Sequence, residues 1–76
     1  MKGEPKMWKR LFYEGYEIEA KVYETGSEYG IDGGRISKLW MRKDGRIALN
    51  YDRGWDVHPV DEDAERVYEY VLKKWN

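Results

Sequence analysis

Alternating apolar and polar residues predict two paired strands at the start of the chain. The first strand runs from Met7 to Tyr13 and the second from Tyr16 to Tyr23, with a tight turn at Glu14-Gly15 between them. The second strand alternates most regularly, which is typical of a strand with one buried and one exposed face. A two-residue turn places three pairs opposite one another: Leu11 with Ile18, Arg10 with Glu19, and Trp8 with Lys21.

A second hairpin is predicted within the stretch from Gly33 to Trp55, and its turn decides which side chains are buried. A two-residue loop at Asp44-Gly45 would bury Lys38 and Arg42 and leave Leu39 and Met41 exposed. A three-residue loop, Lys43-Asp44-Gly45 with Gly45 as a bulge, reverses this pattern. We therefore expect the three-residue loop. It buries Leu39, Met41, Ile47, Leu49 and Tyr51, and it turns outward Lys38, Trp40, Arg42, Arg46, Ala48 and Asn50.

The last part of the chain predicts one amphipathic helix that begins after Asp61 and ends at Trp75. Apolar residues recur at steps of three and four, and Asp61 is suited to cap the first turn. A glycine-rich loop from Glu24 to Gly34 precedes the second hairpin, and Asp56 to Pro59 connects that hairpin to the helix. The predicted fold class is α+β: a four-stranded antiparallel sheet followed by one C-terminal helix, ββββα.

Length and composition favour one small domain, residues 1–76, with residues 1–6 frayed. The chain has no cysteine and no apolar run long enough to cross a membrane, so we expect a cytoplasmic protein without a membrane partner. Its aromatic content of 16% is high for a chain that is 38% charged. Because one helix covers only one face of the sheet, and so small a core is thinly stabilised, we also expect a homo-oligomer.

Positive charge is concentrated in the second hairpin. Residues 33–55 carry six cations and two acids, a net charge of +4, whereas the whole chain stands at −1. Exposed cations beside aromatic side chains are typical of surfaces that bind single-stranded nucleic acids. The alternative is a solvated sheet face held by weak cross-strand ion pairs. The candidate nucleic-acid-binding residues are Lys38, Trp40, Arg42, Arg46, Arg35, Arg53, Trp8 and Arg10.

Signals for catalysis are weak. The single histidine, His58, precedes Pro59 in a connecting segment, and no nucleophile is spaced to meet a base. The carboxylates of Asp32, Asp52 and Asp56 offer an alternative, a metal-assisted nuclease. We predict no catalytic residue, no metal site and no cofactor.

Two motifs resemble a family of short uncharacterised proteins from phages, prophages and mobile elements of Gram-positive gut bacteria. The motifs are Ser27-Glu28-Tyr29-Gly30-Ile31-Asp32-Gly33-Gly34-Arg35-Ile36-Ser37-Lys38-Leu39 and Tyr51-Asp52-Arg53-Gly54-Trp55-Asp56. This resemblance implies phage biology, including a counter-defence role of the anti-CRISPR type, but no activity. In topology alone, the predicted sheet and helix are similar to the single-stranded-DNA-binding transcriptional coactivator called positive cofactor four. That resemblance implies a dimer that binds single strands on its sheet, although the coactivator's motif is not intact here.

The resulting hypothesis is a small nucleic-acid-binding protein, with single-stranded DNA as the partner and counter-defence as the biological role. Two alternatives stay open. One is an inhibitor that binds a host defence protein through the open sheet face without nucleic acid. The other is a sponge for small signalling nucleotides, based on the glycine-rich loop between Glu24 and Gly34.

Overall fold

The computed structural model describes residues 7–76, so the frayed leader predicted for residues 1–6 lies outside the described residues. One antiparallel sheet with the strand order β1-β2-β3-β4-β5 packs one face against a single helix. The strands and the α-helix are β1 Trp8–Tyr13, β2 Tyr16–Val22, β3 Ile36–Lys43, β4 Arg46–Asp52, β5 Trp55–Val57 and α1 Glu62–Trp75, and a short 3-10 helix, Ile31–Gly33, precedes β3. The α+β class with a C-terminal helix is confirmed.

The sheet has five strands, so the prediction of four was wrong. The additional strand, β5, lies where the sequence predicted only a connection, and it pairs Trp55 with Tyr51 and Val57 with Asn50. The chain reverses just before it, where Arg53 takes a left-handed backbone (φ 58°) and the Asp52 N–H donates to the Gly54 carbonyl at 2.8 Å. A strand of three residues is too short to show an alternating pattern in the sequence.

The first hairpin has the predicted register. Glu14 and Gly15 both have positive φ, 51° and 86°, as a two-residue type I′ turn requires. Leu11 pairs with Ile18, Arg10 with Glu19 and Trp8 with Lys21.

The second hairpin also closes with a two-residue turn, so the prediction of a three-residue loop was wrong. Asp44 and Gly45 both have positive φ, and Lys43 pairs directly with Arg46. One extra residue in β4, Ala48, then forms a bulge, because Arg42 pairs with Ile47 and Met41 with Leu49.

After the bulge, the side chains of β4 face the sides that were predicted. Between the turn and the bulge, they face the opposite sides. Leu39, Met41, Leu49 and Tyr51 are buried as predicted. Ile47 and Ala48 are exchanged: Ile47 is 53% exposed, whereas Ala48 is buried.

The helix is confirmed in its bounds and its cap. Asp61 accepts a hydrogen bond from the Ala64 N–H at 2.8 Å, and acids occupy the first turn while lysines occupy the last, as the helix dipole favours. Its buried stripe closes the core over β2, β3 and β4: Ala64, Val67, Tyr68, Val71 and Trp75.

The end of the helix is tied to the start of β3. The Asn76 side chain accepts from the Ile36 N–H at 2.9 Å and donates to the Ile31 carbonyl at 3.1 Å. Beside it, the Arg35 guanidinium donates to the Trp75 carbonyl at 2.9 and 3.2 Å. The loop before β3 folds back on itself, and a side chain at Gly30 would collide with the Gly34 carbonyl.

No helix within residues 7–76 has the length and apolar character needed to span a membrane.

Candidate nucleic-acid interface

The sheet face opposite the helix, called the open face from here on, consists of three rows of side chains that cross the strands. Directly opposite residues of neighbouring strands share a face, so the pairing defines each row. The first row is Trp8, Lys21, Lys38 and Asp52; the second is Arg10, Glu19, Trp40 and Asn50; the third is Phe12, Glu17, Arg42 and Ile47.

Two tryptophans form a shallow recess on this face. The ring centroids of Trp8 and Trp40 lie 6.4 Å apart with a tilt of 49°, and the two side chains are 50% and 38% exposed. With Lys9, Arg10 and Glu19 they line an open space of about 430 Å³. The Arg42 guanidinium lies 5.9 Å from the Trp40 ring centroid. This recess, the tryptophan recess, can accept a flat ring against exposed aromatic surface.

The cations of the open face are partly neutralised by acids on neighbouring strands. Arg10 donates to Glu19, with Nε 2.9 Å from Oε2. Lys38 Nζ lies 3.6 Å from Asp52 Oδ1, and Arg42 is directly opposite Glu17. Four cations therefore share the face with three acids, and the face is less positive than the hairpin sequence suggested.

Two of the predicted site residues lie away from the open face. Arg46 pairs with Lys43, whose Nζ contacts the helix residue Asp63 at 3.6 Å, so both face the helix side. Arg46 is on this side because the bulge at Ala48 follows it in β4 and the parity changes only there. Arg35 donates to the Trp75 carbonyl and so stabilises the C-terminal end of the helix. The other six lie on the face or at its margin: Trp8, Arg10, Lys38, Trp40, Arg42 and Arg53.

A second open space, the lysine recess, lies at the edge of the open face and was not predicted. It measures about 500 Å³, and its lining includes Lys21, which the sequence placed opposite Trp8 but not among the candidate site residues. The outward position of Lys21 opposite Trp8 was the sequence signal for this residue. The remaining residues of its lining are Tyr23, Thr25, Gly26, Ser27, Tyr29, Ser37, Lys38 and Arg53.

The strongest pKa shifts lie near the helix instead. Burial, together with a hydrogen bond from its hydroxyl to Asp63 at 2.8 Å, raises the pKa of Tyr16 to about 12. Hydrogen bonds from Arg66 lower the pKa values of Glu14 and Asp63. These shifts follow from contacts that attach the first hairpin to the helix, which indicates a structural network.

Within residues 7–76, no group of three or more His, Asp or Glu side chains is placed to hold a metal ion. The carboxylates of Asp32, Asp52 and Asp56 are thus not assembled into the metal site of the nuclease alternative.

A family model described as "Domain of unknown function (DUF7678)" matches residues 3–76. The chain belongs to this family. No curated protein and no solved structure matches the chain. Because the description of the DUF7678 family names no activity, the candidate function of this DUF7678 domain rests on the geometry of the open face.

Proposed function

We propose that this protein is a non-catalytic module that binds single-stranded nucleic acid on the open face. The observation that carries the proposal is the pair of exposed tryptophans, Trp8 and Trp40, side by side and bordered by Arg10 and Arg42. Unpaired bases stack on exposed aromatic rings, and nearby cations attract the phosphates between them. Stacking makes little distinction among bases, so the proposed partner is a single strand of any sequence, with single-stranded DNA as the first candidate.

The charges of the open face limit the expected affinity. Glu17 and Glu19 lie in the middle of their rows, and Glu19 already accepts a hydrogen bond from Arg10. A strand must compete with these acids, and the chain as a whole carries a net charge of −1. We therefore expect modest affinity at low salt, with a log–log salt slope of ~0.7 for each phosphate contacted.

Fluorescence anisotropy of a labelled single-stranded oligonucleotide, at two salt concentrations, tests the proposal. Trp40→Ala should weaken binding by about 1–3 kcal/mol, the range for one stacked base, and leave the salt slope nearly unchanged. Arg42→Glu should weaken binding and reduce the slope.

The matched control for that experiment is Arg46→Glu, which makes the same charge change on the helix side of the same hairpin. It should leave binding close to that of the unmodified protein. Absence of binding at low salt, or equal losses from Arg42→Glu and Arg46→Glu, would refute the nucleic-acid proposal and favour a protein partner.

A protein partner is the second candidate, and the third row supports it. Phe12 is 69% exposed and Ile47 is 53% exposed, with Glu17 and Arg42 between them. Exposed apolar side chains around two residues of opposite charge are typical of contact surfaces between proteins. A host defence protein is the partner that the phage resemblance favours. If so, plaque formation by a phage on a defended host should rise with the unmodified protein and fall with Phe12→Glu.

The same third row is also the surface through which the predicted homodimer could form. If a second copy packs with its strand order reversed, Phe12 meets Ile47 of that copy and Glu17 meets its Arg42. Sedimentation at micromolar concentration should then give a dimer, and the midpoint of thermal unfolding should rise with protein concentration. Phe12→Glu should give a folded monomer. A monomer with a concentration-independent midpoint would contradict this prediction.

A further inference from the structure

The lysine recess is separate from the tryptophan recess and has a different chemistry. It lies where the first row of the open face meets the loop of residues 24–34 and the turn after β4, and the two recesses share no lining residue. Its volume of about 500 Å³ falls within the range of roughly 300–1,000 Å³ that small-molecule sites occupy. Its lining supplies three cations, three serine or threonine hydroxyls and two tyrosines.

The cations of the lysine recess repel one another, and a bound anion would relieve this repulsion. Lys21 and Lys38 are directly opposite each other on β2 and β3, a placement in which like charges repel. Among residues 7–76, Lys21 forms no ion pair. The carboxylate of Asp52 contacts both other cations through the same oxygen, Oδ1, at 3.6 Å from Lys38 Nζ and 3.8 Å from Arg53 Nε. Within the described residues, the lining of the recess therefore holds three cations and no acid, and Asp52 lies beside it.

The walls of the lysine recess are fixed by hydrogen bonds that do not use the charged side-chain groups of its cations. The Tyr51 hydroxyl donates to the Tyr29 carbonyl at 3.0 Å, and the Tyr29 N–H donates to Ser27 Oγ at 3.2 Å. On the opposite wall, the Arg53 N–H donates to the carbonyl of Ser37, the bulged residue of β3, at 2.9 Å. The site is therefore largely formed before any ligand arrives, which reduces the entropy cost of binding.

Two aromatic rings stand beside the cations. Lys21 Nζ lies 5.4 Å from the centroid of the Tyr23 ring, and Tyr29 lines the same recess with a half-exposed side chain. A flat base placed against either ring would hold its attached phosphate close to the lysines.

We propose that the lysine recess binds a nucleoside monophosphate group, that is, a terminal phosphate ester with its base. Such a phosphate carries about −1.5 to −2 charges near neutral pH, which suits a lining of three cations and no acid. Lys21, Lys38 and Arg53 hold the phosphate, and Tyr23 or Tyr29 stacks on the base. The group can come from a free nucleotide or from the phosphorylated end of a strand. The inference does not depend on the tryptophan recess.

Isothermal titration calorimetry with adenosine monophosphate, adenosine and inorganic phosphate separates the two halves of the ligand. We expect adenosine monophosphate to bind more tightly than either part alone. Equal binding of adenosine and its monophosphate would show that no phosphate is recognised and would overturn the proposal. No measurable heat with millimolar adenosine monophosphate would overturn it as well.

Single substitutions then test the residues. Lys21→Gln and Arg53→Asn should each weaken binding about tenfold, as the loss of one charged hydrogen bond predicts. Asparagine is chosen at position 53 because it tolerates the left-handed backbone there. Asp52→Asn removes the competing carboxylate, so it should tighten binding. Arg46→Gln, on the helix side, is the matched control and should leave affinity unchanged.

Two oligonucleotides, identical except for a 5′-phosphate or a 5′-hydroxyl, distinguish the sources of the group. Preferential binding of the phosphorylated strand, lost in Lys21→Gln and retained in Trp40→Ala, would show that strand ends enter the lysine recess. Binding of the free nucleotide without this preference would restrict the site to free nucleotides. Looser or unchanged binding in Asp52→Asn would contradict the proposed charge arrangement in either case.

Discussion

The two hairpins of this protein close with the same type of turn, yet only the first is regular along its length. In β1–β2, the residues on each side of Glu14-Gly15 pair one to one as far as Trp8 and Lys21. In β3–β4, the same geometry at Asp44-Gly45 is followed after two pairs by the bulge at Ala48. A turn therefore fixes the register only up to the first bulge. In the second hairpin, the bulge leaves Arg42 on the open face and Arg46 on the helix side.

Charge substitutions at the bulge should produce the largest contrast. Ala48→Glu places a carboxylate at a buried position and should cost about 3–5 kcal/mol, enough to unfold so small a domain. Ile47→Glu, one residue earlier, should change stability by no more than about 0.5 kcal/mol because Ile47 is exposed. Urea denaturation followed by circular dichroism measures both. If Ile47→Glu destabilised the protein more than Ala48→Glu, the result would support the three-residue loop and its register instead.

Truncations within β3 should show the two faces of one strand. Leu39 is fully buried, so Leu39→Ala should cost about 2–5 kcal/mol as a large-to-small core substitution. Trp40 lies on the open face, and Trp40→Ala should cost much less. The same denaturation experiment compares them. A stable Leu39→Ala variant beside an unfolded Trp40→Ala variant would mean that the two faces of the sheet have been exchanged.

Alkaline pH should produce the smallest loss of folding stability. The loss should arise at Tyr16, where both hairpins meet the helix. Tyr16 of the first hairpin donates to Asp63, and Lys43 of the second lies 5.0 Å from the Tyr16 ring centroid. The pKa of Tyr16, raised from 10.0 to about 12, means that the folded state holds this proton more tightly than the unfolded state. Its stability contribution is therefore complete below pH 10 and is lost as the pH rises toward about 12.

Urea denaturation between pH 9 and 12 measures that loss, and Tyr16→Phe is its control. The variant should lose part of the pH dependence. Part should remain, because burial also raises the pKa of Tyr68 to about 12. Identical pH profiles for the variant and the unmodified protein would show that Tyr16 titrates alike in the folded and unfolded states.

The fold was predictable wherever one pattern extended over many residues. The cap at Asp61, the apolar stripe of the helix and the register of the first hairpin are all local signals, and each is confirmed. The bulge carried no such signal, because Ile47 and Ala48 are both apolar and either could face the core. The strand β5 was missed because its three residues depend on pairing with β4.

The candidate site was predictable in part for the same reason. Trp8, Arg10 and Trp40 lie on the open face because they alternate with core residues in regular strands. Arg35 and Arg46 could not be placed from the sequence, since one depends on the helix end and the other on the bulge. The lysine recess depends on a loop whose position comes from tertiary hydrogen bonds such as Tyr51 to Tyr29.

The bulge in β4 also makes the second hairpin tolerant of a change in chain length. If Ala48 were deleted, Ile47 would still stand opposite Arg42 and Leu49 opposite Met41, and the ladder would become regular. A single-residue deletion in most strands moves every later side chain to the other face. Here the same deletion would leave Trp40, Asn50 and the whole open face in place. Relatives one residue shorter at this position can therefore preserve the same surface.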